Sequence, residues 1–349
     1  MARLLVLLLC WASFQAVAEE LVPAKIEEIS PREDFRKKLF AESLAKRACK
    51  VISKNPSGVV SENPALTNTL QKLLDALNKS SPTDLAPLFH PQLKVRTKQV
   101  AVALTSISRI SGKNVQASLF RAYAINNPDG DPQPTECAED GLMIRPLYGH
   151  RVQVAVWIQA QGADEISRIY ADFVPTKDAW LIGAWNVQQW THAGQDYNEW
   201  RAKAQKSVES KQAVAGWIFY DIAIKLLDGG KFLSFPVEKD IAAEQAKVLS
   251  GKTPLESLTP KFPSEKLVYV SSLFSRHGAG LLLRFGLESE WSANAIREHC
   301  RAKYRQLLDD GLARDLAGIR CDYVLPKEST TKEGVLGGIF VDQASLKTK

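Results

Sequence analysis

The 349-residue chain is poor in the residue patterns that most often announce a chemistry. It has five cysteines and five histidines, and neither set is clustered. No CxxC occurs, and His90, His150, His192, His277 and His299 never fall into HxxxH or HExxH spacing. That argues against the usual zinc frameworks, whose ligands recur at short fixed intervals. A GxSxG nucleophile elbow, a GxGxxG turn and a Walker A loop are also missing, so the common serine-hydrolase and nucleotide-binding signatures do not apply. The glycine-containing "SRHGAG" at 275–280 links two strand-like stretches, whereas a phosphate cradle needs a helix to follow it. Charge of one sign is scarce too: 45 Lys+Arg stand against 39 Asp+Glu, a net of +6. A nucleic-acid surface needs a denser basic patch than this. The densest cluster, "RKK" at 36–38, reads as a solvated helix face.

Long apolar runs are lacking as well. The opening "MARLLVLLLCWASFQAVAEE" has one positive residue, Arg3, then an unbroken apolar run at 4–11 and small residues in "AVA" at 16–18. This is the layout of a secretory leader, and the run is too short to cross a bilayer, which takes roughly 20 residues. Leu9 precedes Cys10 where a lipoprotein signal wants a small residue. The expectation is an exported protein, periplasmic or extracellular, that loses residues 1–18 and does not span a membrane. Cleavage removes Cys10 and one positive charge.

Four cysteines then remain, and in an oxidising compartment an even count points to two disulfides. In "WSANAIREHCRAKYRQLLDDG" a helical apolar stripe runs through Ile296, Cys300, Tyr304, Leu307 and Leu308. In "GIRCDYVLP" strand alternation puts Ile319, Cys321, Tyr323 and Leu325 on one face. Both cysteines therefore point into one core, and Cys300 pairs with Cys321. Cys49 with Cys137 is the remaining pair, joining an N-terminal helix to the loop "NNPDGDPQPTECAEDG".

The rest of the chain reads as α+β in two domains. "SPRE" at 30–33 is a helix start, and Phe35, Leu39, Ala48, Val51 and Ile52 continue its stripe to about Ser53, where "NPSG" at 55–58 stops it. A second helix starts at the Asn63 cap and buries Leu66, Leu70, Leu73, Leu74 and Leu77; a third runs from Thr97 to Gly112. The period then changes to alternation, giving strands in "ASLFRAYAIN", "HRVQVAVWIQAQ", "EISRIYADFV" and "AWLIGAWNVQQW". We divide the chain into a leader (1–18), an N-terminal helix (19–58), a helix-covered antiparallel-sheet domain (59–195), a polar helical connector (196–212) and a second, smaller α+β domain (213–349).

The last of these strands holds Trp180, Trp185 and Trp190. In a strand a spacing of five puts Trp180 and Trp185 on opposite faces and returns Trp190 to the side of Trp180. That is core packing rather than a stacking platform, although Trp190 at the strand end can border a pocket.

The order of a capped helix, the "LFHP" turn at 88–91, a further helix and long strands ending in Trp180-x-Ile182-x-x-Trp185-x-Val187 resembles the ketosteroid-isomerase-like fold of the nuclear transport factor two superfamily, over roughly residues 63–192. The resemblance implies a cone-shaped sheet with an internal pocket. Catalytic members use a carboxylate or histidine beside a donor such as tyrosine, so it implies Tyr170, Asp172 and His90 as catalytic candidates. Arg121, Tyr123, Arg168 and Trp190 are the candidates for lining the pocket. The plainer reading puts Arg168, Tyr170 and Asp172 on the solvent side of a half-exposed strand and makes His90 a capping or surface residue.

Asp129 and Asp131 in "NPDGD" suggest a calcium loop, but Gly130 and the missing terminal glutamate do not fit an EF-hand. The expected function is therefore a non-catalytic binding protein of the cell envelope, without a cofactor, whose partner is another envelope protein or a small apolar ligand. The alternatives are a small-molecule isomerase or hydrolase working in the first domain, and a calcium-dependent surface protein.

Overall fold

A computed structural model describes residues 30–53, 63–177, 179–275, 278–325 and 335–347. The leader, the "NPSG" stop and His277 lie outside these residues. The fold class is α+β, and the chain divides into two compact units: Met1–Trp190 with Asp228–Pro236, and Thr191–Leu227 with Val237–Lys349.

Unit 1 opens with α1 (Ser30–Phe40), β1 (Ala48–Ser53), α2 (Pro64–Asn78), the short α3 (Pro82–Leu85) and α4 (Thr97–Ser111). Strands β2 (Gln116–Asn126), β3 (Thr135–Cys137), β4 (Leu142–Ile144), β5 (Val152–Gln161), β6 (Ile166–Pro175) and β7 (Trp180–Gln189) follow. The main sheet runs β1-β2-β5-β6-β7, antiparallel throughout. Asn63 caps α2 by accepting from the Leu66 amide at 3.0 Å, with Pro64 in the first turn. The stripe this sets up, Leu66, Leu70, Leu73, Leu74 and Leu77, packs with Val100, Leu104 and Ile107 of α4 on one sheet face. Leu66, Leu70 and Leu73 are wholly buried, and truncating one to alanine costs about 2–5 kcal/mol.

Three expectations need correction here. The first helix does not reach Ser53: it ends at Phe40, and 48–53 is an edge strand paired with β2. The buried Asn126 side chain donates to the carbonyls of Ser43 (2.9 Å) and Lys46 (2.6 Å), while Arg36 Nε donates to its Oδ1 at 2.6 Å. The chain is thereby tied down just past a 3-10 turn at Ala41–Ser43, and the β-branched Val51 and Ile52 continue as a strand. Arg36 is accordingly buried, not part of a solvated face, whereas Lys37 and Lys38 are exposed.

The tryptophan parity also changes. Phe173 pairs with Ile182 but Asp172 pairs with Ala184, so Gly183 is the extra residue of a β-bulge. An extra residue reverses the alternation, and Trp180 and Trp185 therefore share the helix-covered face. With the bulge, Ile182 and Val187 join the same side as well. Trp190 falls on the opposite face, where it meets Trp157 edge-on at 5.0 Å.

A second sheet, β3-β4-β8, includes β8 (Leu233–Ser234) from the Asp228–Pro236 segment. Cys49 of β1 is bonded to Cys137 of β3, with Cα atoms 5.1 Å apart.

Unit 2 contains α5 (Tyr197–Glu209), α6 (Ala213–Leu227), α7 (Val237–Val248), the short α8 (Pro254–Leu258), β9 (Lys266–Ser275), β10 (Gly278–Gly286), α9 (Ala293–Asp309), β11 (Gly318–Val324), β12 (Val335–Asp342) and the short α10 (Gln343–Lys347). Its sheet order is β12-β11-β10-β9. The β10 and β11 strands are parallel, so α9 serves as the crossover that parallel neighbours require. Cys300 on α9 and Cys321 on β11 are joined, both wholly buried, as their shared apolar face predicts.

Candidate functional site

Alternation along β6 sends Ile169, Ala171 and Phe173 into the helix-side core and Arg168, Tyr170 and Asp172 to the other face. That face is not open to solvent. Arg168 is 1% exposed, Tyr170 3% and Asp172 0%, which overturns the half-exposed strand expected from the alternation. The cover includes Phe232, against Tyr170, and Phe235, against Trp157 and Arg168, with Leu147 of the loop after β4 beside Gly183. Gln153 holds the loop in place: its side chain accepts from the Leu147 amide at 2.8 Å and donates to the Leu147 carbonyl at 2.7 Å. The bulge at Gly183 makes room for Leu147, because a Cβ there would stand 2.5 Å from Leu147 Cδ1.

Arg168 lies in a box of rings. Its guanidinium carbon is 4.9 Å from the Trp157 ring centre, 4.6 Å from Trp190 and 5.0 Å from Phe235, within reach of cation–π attraction from all three. One nitrogen donates to Gln188 Oε1 at 2.7 Å and reaches the Asp228 carbonyl at 3.5 Å. Burial pulls its pKa down to about 9, against the opposing charge of Asp228, so the group remains a cation at neutral pH.

Tyr170 is the direct cross-strand partner of Trp157, and the Phe232 ring stacks on it at 5.8 Å and 16°. Asp172 sits between Ala155 on β5 and Ala184 on β7, the smallest neighbours this register could offer short of glycine. Neither carboxyl oxygen of Asp172 has a hydrogen-bond partner among the described residues, and the same holds for the Tyr170 hydroxyl and the Trp157 indole nitrogen. Burial pushes Asp172 well above the usual carboxylate range. Burial, with the Asp172 charge, likewise pushes Tyr170 up. Both shifts favour the protonated forms, in which each group has a proton to donate.

The other sequence candidates are engaged elsewhere. Tyr123 is buried on the same sheet face and donates to Asp140 Oδ2 at 2.8 Å, while Arg121 Nε meets that oxygen at 3.3 Å. Burial and the Asp140 contact raise the Tyr123 pKa. His90 is a cap: its Nδ1 accepts from the Gln92 amide at 3.4 Å, and its own amide donates to the Ile182 carbonyl at the free edge of β7. It does not join Tyr170 and Asp172. Asp129 and Asp131 face a cation the chain supplies, the Arg47 guanidinium, at 3.7 and 3.6 Å. No group of three His, Cys, Asp or Glu that could hold a metal occurs among the described residues.

Sequence reasoning missed Trp157, Gln188, Asp140, Phe232 and Phe235. Trp157 was accessible by counting, since it alternates with Val156 and Ile158 of the core. Nothing local relates Phe232 and Phe235 to a strand some sixty residues earlier.

Unit 2 has an open cavity of about 470 Å³, lined among others by Trp200, Lys203, Phe219, Asp315 and Gln343. Its polar groups are partly spent: Lys203 lies over the Trp200 ring at 4.6 Å, and Asp315 accepts from the Ser207 hydroxyl at 3.2 Å. No candidate read from the sequence lines it. No helix among the described residues is long and apolar enough to cross a membrane. Comparison with known proteins yields no family model, no curated protein and no solved structure that matches the chain.

Proposed function

We propose that the protein is an exported, non-catalytic binding protein of the cell envelope whose unit 1 holds a small, largely apolar ligand against the Tyr170–Asp172 face of its main sheet. One observation carries this reading: the Asp172 carboxyl and the Tyr170 hydroxyl are buried side by side on one sheet face and have no hydrogen-bond partner among the described residues. An unpaired buried polar group costs about 1–3 kcal/mol, and a ligand acceptor placed there offsets that cost. Trp157, Phe232 and Leu147 supply apolar contact. Export is supported by the leader-like first residues and by the two disulfides, which fit an oxidising compartment.

Binding is favoured over turnover because an isomerase or hydrolase needs an ionised base at the reacting atom. Burial disfavours the ionised form of Asp172, Asp140 is committed to Tyr123 and Arg121, and His90 caps a turn at the strand edge. The calcium reading is weakened by Arg47, which already faces Asp129 and Asp131.

The test uses prodan, an apolar naphthyl ketone whose fluorescence reports hydrogen bonding to its carbonyl. Wild-type protein should bind one prodan saturably, with energy transfer from the tryptophans. Tyr170→Phe and Asp172→Val, which each remove a donor, should each weaken binding about tenfold, the loss of one hydrogen bond in a dry site. Absence of saturable binding, or equal affinity in both variants, would overturn the proposal.

A further inference from the structure

The Tyr170–Asp172 face is roofed partly by a segment that is unusual in its connectivity. Asp228–Pro236 belongs to unit 1 by its contacts, yet the chain on both sides of it, Thr191–Leu227 and Val237–Lys349, belongs to unit 2. It is a nine-residue strap, tethered at each end and laid across the site. Its apolar residues do the covering: Phe232 stacks on Tyr170, Phe235 lies 5.9 Å from the Trp157 ring, and Leu233 is buried.

Its backbone is held far less firmly than the strands below it. β8 pairs with β4 at only two positions, Met143 with Ser234 and Ile144 with Leu233. Beside that pairing, the Arg145 amide donates to the Phe232 carbonyl at 2.8 Å. Asn186 Nδ2 reaches the Gly229 carbonyl at 3.4 Å and Arg168 reaches that of Asp228 at 3.5 Å, both at the long limit of a hydrogen bond. By comparison, β6 is paired along its length on both sides.

The leading end is a tight glycine turn. Gly230 has φ +62°, a conformation costly for residues with a Cβ. A Cβ at Gly229 would stand 2.2 Å from the Leu233 carbonyl oxygen, so a side chain could not be fitted into this turn. Pro236 closes the other end. Short segments with few backbone bonds open at lower free energy than core strands.

We propose that the Asp228–Pro236 strap is the gate of the ligand site: it lifts from β4 to admit a ligand to Tyr170 and Asp172 and re-forms its aromatic roof over it. This inference rests on the binding role proposed above. The strap is closed in both the free and the loaded protein, so it controls the rates of entry and exit more than the affinity.

Register partners on adjacent antiparallel strands have Cα atoms about 4.5–5.5 Å apart, within disulfide range. Met143→Cys with Ser234→Cys should therefore lock the strap to β4, with peptide mapping to confirm that the new bond has left Cys49–Cys137 and Cys300–Cys321 in place. Stopped-flow mixing with prodan should show association and dissociation both slowed about tenfold or more in the locked protein, with the equilibrium constant little changed. Asn186→Ala, which removes a tie to Gly229, should speed association in the unlocked protein. Wild-type binding with unaltered rates in the locked and Asn186→Ala variants would overturn the gate and leave the binding role standing. A wild-type protein that takes up no prodan would remove the binding role and the gate with it.

Discussion

Asp172 shows how much one side chain can carry. A carboxyl group with no partner in a dry site is stable only as the neutral acid, and its position between two alanines leaves it no competing hydrogen-bond donor from the neighbouring strands. The sign of the linkage follows. The folded-state pKa lies above the unfolded value, so folding takes up a proton, and this residue's contribution is fully present below the unfolded pKa and is lost as pH rises towards the folded one. Asp172→Asn does not titrate, so its melting temperature should gain on wild type as pH is raised from about 4 to 8. Parallel thermal melts check this, and a difference that stays constant with pH would show Asp172 to be ionised in the fold. Gly183 makes the complementary point about space. Gly183→Val would push a branched side chain against Leu147 and Val174, and should cost about 2–3 kcal/mol in urea unfolding.

Most elements could be read from the sequence, since their signals are local. The Asn63–Pro64 start of α2, the Gly112 end of α4 and the shared face of Cys300 and Cys321 all follow from neighbours a turn or two away. What failed was decided at a distance. The strand at 48–53 pairs with β2, and Asn126, some eighty residues later in the chain, ties down the segment just before it. The tryptophan parity failed on one glycine, and Gly183 within an otherwise apolar strand was the available warning of a bulge. The candidates on β6 were identified from alternation, but their burial was not, because the roof comes from a loop and a strap remote in sequence. The two disulfides lend themselves to measurement at this scale. Cys49–Cys137 closes a separation of 88 residues and Cys300–Cys321 one of 21. On chain entropy, replacing the first pair by serines should cost about 4–5 kcal/mol and the second about 3. Equilibrium unfolding of the two double variants gives the comparison, and the reverse order would refute the loop-length explanation.

At the scale of the whole molecule, the covalent framework and the proposed export are linked. A protein that crosses a membrane early should lose residues 1–18, and its four remaining cysteines should all be oxidised. Intact mass of material purified from its native source should correspond to a chain beginning at Glu19, with no alkylation unless reductant is present. A retained Met1, or free thiols at Cys300 and Cys321, would contradict export into an oxidising compartment. Two disulfides suit such a setting. Within that framework the Tyr170–Asp172 face is the feature that packing alone does not explain, since apolar residues would fill it at lower cost.

The most direct test of that face is the charge on Asp172 at neutral pH. Infrared difference spectra between wild type and Asp172→Asn should show the carbonyl stretch of a protonated carboxylic acid at pH 7, and that band should shift when prodan is added. A carboxylate band in its place, indifferent to prodan, would contradict a neutral donor waiting for an acceptor.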